Sequence, residues 1–392
     1  MNKIKLNHSA ELKTVFDIAK QNGFEARIVG GAVREYLFGN NNVYDIDLAI
    51  NATPDKVTEI FETAGHRVIP TGIDFGTITV IIDQTPFEIT SLRKDMETDG
   101  RKAVVSYTDN WQDDSIRRDF TINAIYVDEA GNVYDYHNGI NDFENKKLNF
   151  VGGADVRIKE DALRILRLFR FAITTGFDVD DETYTACKNN AVLIKKLSIE
   201  RIANEMIKML KSKNFNVDTI FKMRDVGILQ SIIPMAVKSE LPLFNNTLLG
   251  SNDYIAKIIA LSDGNFDMAN TICNVWKLSN KEKRNLKETF TIYNDRTFVP
   301  QFLNKFLYYN NYEALLSASL LKDEKFYQFV KDKTGFEKPI FPVDGNDLLA
   351  LGFEKGAKLG SLLKAVERWW VDNEFKPKKQ DCLLYAKQKE RM

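Results

Sequence analysis

The chain has 392 residues, of which 44% are hydrophobic and 28% charged, so it is long enough for two or three folded domains. Its net charge of −1 excludes a uniformly basic nucleic-acid-binding protein, and any surface that binds nucleic acid must be local. The three cysteines are far apart, the N-terminus lacks the apolar segment of a signal peptide, and no apolar run is long enough to span a membrane. We therefore expect a cytoplasmic protein without a disulfide framework or a cysteine zinc site.

The first predicted helix covers residues 8–22, where apolar side chains recur at helical spacing. The next segment, residues 28–47, reads IVGGAVREYLFGNNNVYDID and carries the first functional signal. Gly30 and Gly31 let backbone N–H groups approach a phosphate, and the helix that follows adds a favourable dipole. Arg34, one turn into this helix, can donate to the same phosphate. The segment therefore predicts a phosphate site.

Two carboxylates follow on a predicted strand, residues 44–50. Asp45 and Asp47 project from the same face, because side chains alternate along a strand. Such close carboxylates repel each other unless a cation lies between them, and oxygen-only ligands favour Mg²⁺. Each of these features is common on its own. Their order within one short segment predicts a site for a triphosphate and Mg²⁺, as used in two-metal phosphoryl or nucleotidyl transfer.

The run GGAVREYLFGNNNVYDID resembles the first motif of class II tRNA nucleotidyltransferases. This family contains CCA-adding enzymes and bacterial poly(A) polymerases, and belongs to the DNA polymerase beta superfamily. The resemblance implies that Asp45 and Asp47 are catalytic and hold Mg²⁺, while Gly30, Gly31 and Arg34 bind the nucleotide.

Residues 53–64 predict a second helix, and residues 67–93 alternate like strands. Glu88 shares a face of the last strand with Thr90. We expect Glu88 to be a third active-site carboxylate, since the family has a similar strand here. An ordinary surface position on the strand is the open alternative.

Residues 94–115 are polar and broken by glycine, without a steady period, which is typical of a surface loop. The resemblance implies instead the flexible loop that moves between C and A addition. Asp99, Gly100 and Arg101 lie in the matching stretch.

The run RRDFTINAI, residues 117–125, is close to the second family motif. The resemblance implies that Arg118 contacts the nucleotide, and we expect Arg117 to support the fold. Residues 134–143 then match the segment that ends the catalytic head.

Residues 160–171 read EDALRILRLFRF and predict one largely buried helix. At about 100° per residue, Asp161 lies close to Arg164, and Arg167 and Arg170 extend the same stripe. An Asp161–Arg164 pair that only stabilises the helix is the simpler interpretation.

Base recognition is the sharper interpretation. An aspartate can accept a hydrogen bond from the amino group of C or A, while an arginine donates to the adjacent ring nitrogen. G and U present a carbonyl oxygen and a ring N–H at these positions, so neither hydrogen bond can form. Buried polar groups that are left without partners then discriminate strongly against these two bases. The E-D-x-x-R motif of the family maps onto Glu160, Asp161 and Arg164. The resemblance implies that Asp161 and Arg164 select the base and that Arg167 and Arg170 contact the nucleotide.

Residues 198–210 predict a further helix, which we interpret as structural. Beyond residue 215 helical patterns recur without a specific motif, for example residues 279–290 with a Ser279–Glu282 capping box. The basic C-terminal end is typical of either a tRNA-binding tail or a solvated helix end.

We therefore expect an α+β N-terminal nucleotidyltransferase head, with a mixed β-sheet and helices, followed by an all-α neck, body and tail. The expected domains are residues 1–150 (catalytic head), 151–215 (helical neck with the nucleotide-selecting helix), 216–310 (helical body) and 311–392 (helical tail, tRNA binding). The resemblance is specific over residues 28–210. It implies that C, C and A are added to the tRNA 3′ end from CTP and ATP, with Mg²⁺, without a nucleic-acid template and with release of pyrophosphate.

Three alternatives stay open: a bacterial poly(A) polymerase, a partial enzyme that adds only CC or only A, and a non-catalytic RNA-binding relative. The short basic tail argues against the first, the segment 94–115 against the second, and the intact Asp45–Asp47 pair against the third. The expected partners are tRNA, CTP and ATP, with no membrane, and the oligomeric state is left open.

Overall fold

The computed structural model describes residues 3–6, 9–40, 43, 45–98, 103–233, 238 and 240–390. The chain divides into two compact units, residues 1–236 and 237–392. Among the described residues, no helix combines the length and the apolar character that crossing a bilayer requires.

All strands among the described residues lie in the first unit. They are β1 (Ala26–Val29), β2 (Asp47–Ile50), β3 (Arg67–Gly72), β4 (Thr77–Ile82), β5 (Thr85–Ser91), β6 (Arg93–Thr98), β7 (Ala103–Tyr107), β8 (Ile125–Val127) and β9 (Val133–Asp135). Seven of them form one mixed sheet in the order β3-β4-β5-β2-β1-β8-β9, while β6 and β7 pair separately. Within the large sheet only β2 and β5 run parallel.

Helices cover the sheet and follow it in the same unit. They are α1 (Ala10–Gln21), α2 (Gly31–Leu37), α3 (Pro54–Thr63), α4 (Trp111–Ile116), α5 (Gly139–Glu144), α6 (Ala154–Glu160), α7 (Leu163–Thr175), α8 (Asp181–Asn190), α9 (Ile199–Leu210), α10 (Val217–Asp225) and α11 (Leu229–Ile232). The apolar faces of α1 and α3 join the central strands in one core. The predicted helices at 8–22 and 53–64 are confirmed with slightly shorter bounds, and His8 lies outside the described residues.

The centre of the sheet is buried on both faces. All four residues of β1 are buried, including Arg27, which is only 6% exposed. Its guanidinium pairs with Glu25 at 2.7 Å and lies 4.0 Å from the ring of Trp111 and 3.5 Å from that of Tyr134. A guanidinium tolerates burial when it is paired and stacked in this way, so β1 is a fixed support for the turn that follows it.

The segment 94–115 is not a plain loop. Strands β6 and β7 form an antiparallel hairpin, and α4 follows it. Asp99, Gly100 and Arg101 lie outside the described residues. The sequence did not predict this hairpin, because its composition is polar. A hairpin outside the main sheet does not need the alternation of apolar residues that identifies a strand.

The helix predicted over residues 160–171 is also wrong at its start. Helix α6 ends at Glu160 and α7 begins at Leu163, with Asp161 extended between them (φ −150°, ψ 106°). Asp161 Oδ1 accepts a hydrogen bond from the backbone N–H of Leu163 at 3.1 Å. Aspartate side chains compete for backbone N–H groups in this way, which favours a helix boundary over a helix interior.

The second unit is helical throughout its described part. Its helices are α12 (Asn246–Leu249), α13 (Tyr254–Leu261), α14 (Phe266–Val275), α15 (Asn280–Asn294), α16 (Leu303–Tyr309), α17 (Tyr312–Leu320), α18 (Glu324–Lys331), α19 (Gly345–Ala350), α20 (Ala357–Asp372) and α21 (Lys379–Glu390). The predicted capping box of Ser279 and Glu282 is present at the start of α15. The expected fold class, a mixed-sheet head followed by helices, is confirmed.

The turn between β1 and α2 gives a test of backbone strain. Gly30 has φ +73°, a conformation that L side chains rarely adopt, whereas Gly31 does not lie in that region. We expect Gly30→Ala to lower the free energy of unfolding by about 1–3 kcal/mol. Gly31→Ala is the matched control, since its added Cβ would lie 3.9 Å from Arg34 Nη2, an ordinary contact. Urea unfolding of both variants makes the comparison, and equal losses would refute the explanation.

Candidate active site

Three carboxylates lie together where β2 meets β5. Asp45 and Asp47 are exposed, while Ile46 between them is 9% exposed, so the chain alternates as expected. The parallel register sets Asp47 directly beside Glu88 of β5, which is also exposed. The strand begins at Asp47 rather than at residue 44, and Tyr44 lies outside the described residues. The structure thus brings together the three acids that the sequence predicted.

The glycine turn adjoins these acids. A Cβ built on Gly30 would lie 3.9 Å from Asp47 Oδ2. Strands β1 and β2 are antiparallel, so the end of β1 lies beside the beginning of β2. The backbone that can face a phosphate is therefore next to a carboxylate that can bind a cation.

The carboxyl group of Asp47 is perturbed by its surroundings. Although the residue keeps part of its surface exposed, desolvation of the carboxyl group raises its pKa to about 6. Repulsion from Asp45 and Glu88 also raises this pKa, while Arg118 and Arg34 lower it. Carboxylate oxygens that repel one another are the donor set of a hard divalent cation, so these residues fit such an ion.

The carboxylates do not form a complete cage. In the part of the chain that the structure describes, no three His, Cys, Asp or Glu side chains are assembled closely enough to hold a metal ion.

Three guanidinium groups gather around the ring of Phe171 on α7. The distances from Cζ to the ring centroid are 4.8 Å for Arg34, 5.4 Å for Arg167 and 4.2 Å for Arg170. Desolvation lowers the pKa of Arg34 to about 10. The positive charges of Arg170 and Arg167 also lower this pKa, while the carboxylate of Asp119 raises it. Three cations this close to one another favour an anionic ligand.

Two buried carboxylates hold this cluster. Asp119 Oδ2 accepts from Arg167 Nε at 2.7 Å, and Glu205 Oε2 accepts from Arg170 Nε at 2.5 Å. Asp119 Oδ1 also accepts from Asn123 Nδ2 at 2.9 Å, and Asn123 Oδ1 in turn accepts from Arg34. Two negative charges thus balance three positive ones only in part.

Sequence reasoning gave no role in the site to Asp119, Asn123 or Glu205. The first two lie in the run RRDFTINAI, where an acid and an amide four residues apart were the available signal. Glu205 gave a weaker signal, as an acid on the apolar face of the helix predicted at 198–210.

Arg118 is held by a buried hub. The carboxylate of Asp114, which is 0% exposed, accepts from Arg118 Nη2 at 3.1 Å, from Arg117 Nε at 2.8 Å and from the hydroxyl of Tyr126 at 2.7 Å. It also accepts from the backbone N–H of Arg93, at the root of the β6–β7 hairpin, at 3.2 Å. Asp114 was another residue that sequence reasoning missed.

Asp161 and Arg164 are not paired with each other. Arg164 Nη1 binds Glu160 Oε2 at 2.5 Å, and Arg164 Nη2 donates to the carbonyl oxygen of Arg117 at 3.0 Å. Asp161 Oδ2 instead accepts from Arg201 Nη2 on α9 at 2.6 Å. The simpler interpretation, an Asp161–Arg164 pair that stabilises one helix, is therefore excluded, because the chain bends at Asp161 and turns the two side chains to different neighbours.

The Asp114 hub predicts a pH dependence of stability. Burial alone would raise the pKa of Asp114, but Arg118, Arg117 and Tyr126 lower it to about 2. Since an unfolded aspartate titrates near pH 4, the ionised carboxylate stabilises the fold above about pH 4, and this contribution is lost as the pH falls towards 2. Asp114→Asn should therefore cost about 3 kcal/mol at pH 7 and about 1 kcal/mol less at pH 3.

Urea unfolding of the wild type and the variant at pH 7, 5 and 3 measures this difference. Asp113→Asn is the matched control, since Asp113 is more exposed and pairs with Lys94 at 2.7 Å. A loss that stays constant over the pH range would contradict the role of the Asp114 charge.

Comparison with known proteins agrees with this geometry. Residues 26–149 match the family model of the poly(A) polymerase head domain, and residues 176–239 match the model described as "Probable RNA and SrmB- binding site of polymerase A". CCA tRNA nucleotidyltransferase 1, mitochondrial, of Mus musculus is 33% identical over 96% of this chain and 89% of its own length. The CCA-adding enzyme of Streptococcus uberis is 32% identical over 90% of both chains.

A solved structure gives the same result. The crystal structure of the Bacillus stearothermophilus CCA-adding enzyme in complex with CTP superposes with a TM-score of 0.81 at 25% identity, covering 97% of both chains. The resemblance inferred from residues 28–210 is confirmed and extends over almost the entire chain. The chain therefore belongs to the CCA tRNA nucleotidyltransferases, or CCA-adding enzymes, which share the poly(A) polymerase head domain.

Proposed function

We propose that the site at Asp45, Asp47 and Glu88 adds C, C and A to the 3′ end of tRNA from CTP and ATP. The observation that carries the proposal is the register that sets Glu88 beside Asp47, next to the glycine turn, in a chain of this family. In each step the 3′-hydroxyl oxygen of the tRNA attacks the α-phosphorus of the nucleotide. The bond from that phosphorus to the bridging oxygen breaks, and pyrophosphate leaves.

Nucleotidyltransferases of this family generally use a divalent metal. Asp45 and Asp47 would hold Mg²⁺ here, and the bound ion would supply activation of the attacking hydroxyl and stabilisation of the leaving pyrophosphate. The register that sets Glu88 beside Asp47 supports this assignment, because it brings together negative charge that a cation would balance. Glu88 serves as the third carboxylate of the site.

The triphosphate would lie between the glycine turn and the arginines. The backbone at Gly30 and Gly31 faces the phosphates, and Arg34 and Arg118 donate to them. The partial balance of charge around Phe171 supports this role for Arg34, and the Asp114 hub fixes the direction of Arg118. These contacts orient the α-phosphorus towards the tRNA hydroxyl.

Base selection would use Asp161 and Arg164, with Arg167 and Arg170 at further nucleotide contacts. Asp161 accepts from the amino group of C or A, and Arg164 donates to the neighbouring ring nitrogen. To do so, Arg164 must give up its contact with Glu160 or with one of the carbonyl oxygens of Arg117 and Arg157.

The proposal also assigns a role to each domain of the chain. We propose residues 1–150 as the catalytic head, 151–215 as the neck, 216–310 as the body and 311–392 as a tail that binds tRNA. The match of residues 176–239 to an RNA-binding model supports a role in RNA binding beyond the head. The boundary between the two compact units lies inside the proposed body. We place the activity in the cytoplasm, where tRNA, CTP and ATP are all present.

Primer extension tests this function directly. Purified protein is given tRNA that ends at the discriminator base, with Mg²⁺ and the four nucleoside triphosphates singly and together, and the products are sequenced. We expect C, C and A to be added, with GTP and UTP unused, and no addition after chelation of the metal. Asp47→Asn should lower the rate by about 1,000-fold or more, because it removes a metal ligand.

Asp83→Asn is the matched control, because Asp83 is an exposed acid at the turn between β4 and β5 where Asn also tolerates the positive φ of 45°. A long A tail would assign the chain as a poly(A) polymerase. A stop at CC, or addition of A only to tRNA that already ends in CC, would identify a partial enzyme. No incorporation at all would favour a non-catalytic RNA-binding protein.

The base-selection role gives a separate prediction. Asp161→Ala removes the acceptor for the amino group, so we expect the preference for CTP over UTP to fall by roughly 10- to 100-fold. Single-nucleotide incorporation measured for CTP, ATP, UTP and GTP determines this preference. Unchanged selectivity in the variant would remove Asp161 from the proposal.

A further inference from the structure

One face of α9 presents two opposite charges to the nucleotide-selecting segment. Arg201 and Glu205 are four residues apart, so their side chains project from the same side of the helix. Arg201 binds Asp161 at 2.6 Å, and Glu205 binds Arg170 at 2.5 Å. Each of the two therefore contacts a proposed nucleotide-binding residue of opposite charge, although the sequence gave this helix only a structural interpretation.

The carboxylate of Asp161 is held at both oxygens. Oδ1 accepts from the backbone N–H of Leu163 at 3.1 Å, and Oδ2 accepts from Arg201 Nη2 at 2.6 Å. Asp161 itself lies in the extended bend between α6 and α7, where its backbone N–H donates to the carbonyl oxygen of Arg157 and its carbonyl oxygen accepts from the N–H of Arg164, so only its side chain is left to be oriented. Its orientation consequently depends on these two donors, one at each end of the carboxylate.

This arrangement leaves acceptor capacity for a base. A carboxylate offers about four lone-pair positions, so Asp161 can keep both donors and still accept from an exocyclic amino group. Arg201 supplies a charge-assisted bond, which is the stronger and more directional kind. Without the bond from Arg201, only the Leu163 N–H restrains the carboxylate of Asp161, and the side chain can rotate away from the orientation that a base would need.

We propose that Arg201 is a positioning residue for base selection, which holds the Asp161 carboxylate in the orientation that accepts the amino group of C or A. This inference rests on the proposed role of Asp161. Arg201 acts through Asp161 and does not touch the reacting phosphorus. It sharpens the discrimination between bases and leaves the chemistry at Asp45 and Asp47 unaffected.

Arg201→Met tests the inference, because it keeps much of the length of the side chain and removes the donors. We expect the ratio of kcat/KM for CTP over UTP to fall about 10-fold, mainly through a higher KM for CTP, with kcat changed less than about 3-fold. Arg201→Lys keeps one charged donor and should recover part of the ratio. Lys159→Met is the matched control, since Lys159 is exposed on α6 and pairs with Asp155.

A second readout separates positioning from a loss of folding. A CTP analogue with hydrogen in place of the 4-amino group lacks the donor that Asp161 would bind. The wild type should prefer CTP over this analogue, and Arg201→Met and Asp161→Ala should both reduce that preference. The double variant should be no less selective than Asp161→Ala, because Arg201 acts through the same carboxylate. Thermal unfolding identifies any variant that is not folded, and Arg201→Lys then serves as the test.

The outcomes distinguish the two levels of the proposal. If Asp161→Ala keeps its base selectivity, the proposed role of Asp161 fails and the inference fails with it. If Asp161→Ala loses selectivity but Arg201→Met retains it, only the inference about Arg201 is overturned. An additive loss in the double variant would likewise refute it, since Arg201 would then act independently.

Discussion

Like charges are brought together at two places in the first unit, and the rest of the site depends on how the fold keeps them there. Three carboxylates meet where β2 and β5 run parallel, and three guanidinium groups surround Phe171. Desolvation is the largest cause of the shifted pKa values of Asp47 and Arg34, and the neighbouring like charges add to both shifts. Repulsion of this kind destabilises a protein without its ligands, and it favours a cation at one place and a polyphosphate at the other.

A layer of buried partners fixes these charges in direction. Asp114 holds Arg118, and Asp119 holds Arg167 and, through Asn123, Arg34. Backbone carbonyls take part as well, since Arg157 and Arg164 donate to the carbonyl oxygens of Arg118 and Arg117. The helices after the head are thus connected to the second motif by hydrogen bonds to its main chain.

Local patterns predicted the parts of the site that lie close together in sequence. The glycine turn, Arg34 and the Asp45–Asp47 pair fall within one short segment, where helix and strand periodicities are informative. Glu88 was expected as an acid on a strand, but its position beside Asp47 follows from a parallel pairing between distant segments. No local pattern encodes that register.

Long-range partners account for most of what the sequence did not reveal. Asp161 fits an amphipathic helix by periodicity, yet a backbone N–H two residues ahead and Arg201, forty residues away, together stabilise a bend. Asp114 likewise gains its importance from Arg93, twenty-one residues earlier, and from Tyr126. The sequence around such a carboxylate does not reveal its distant hydrogen-bond donors, so it cannot be distinguished from an ordinary acid near an arginine.

The contact between Asp161 and Arg201 has a consequence for attempts to redesign nucleotide preference. If Asp161 reads the base as proposed, a new base requires a different pattern of donors and acceptors at position 161. Replacing the aspartate alone, however, leaves the positive charge of Arg201 without this partner. Reprogramming this protein template would therefore require that positions 161 and 201 be varied as one unit, in libraries that sample both side chains together.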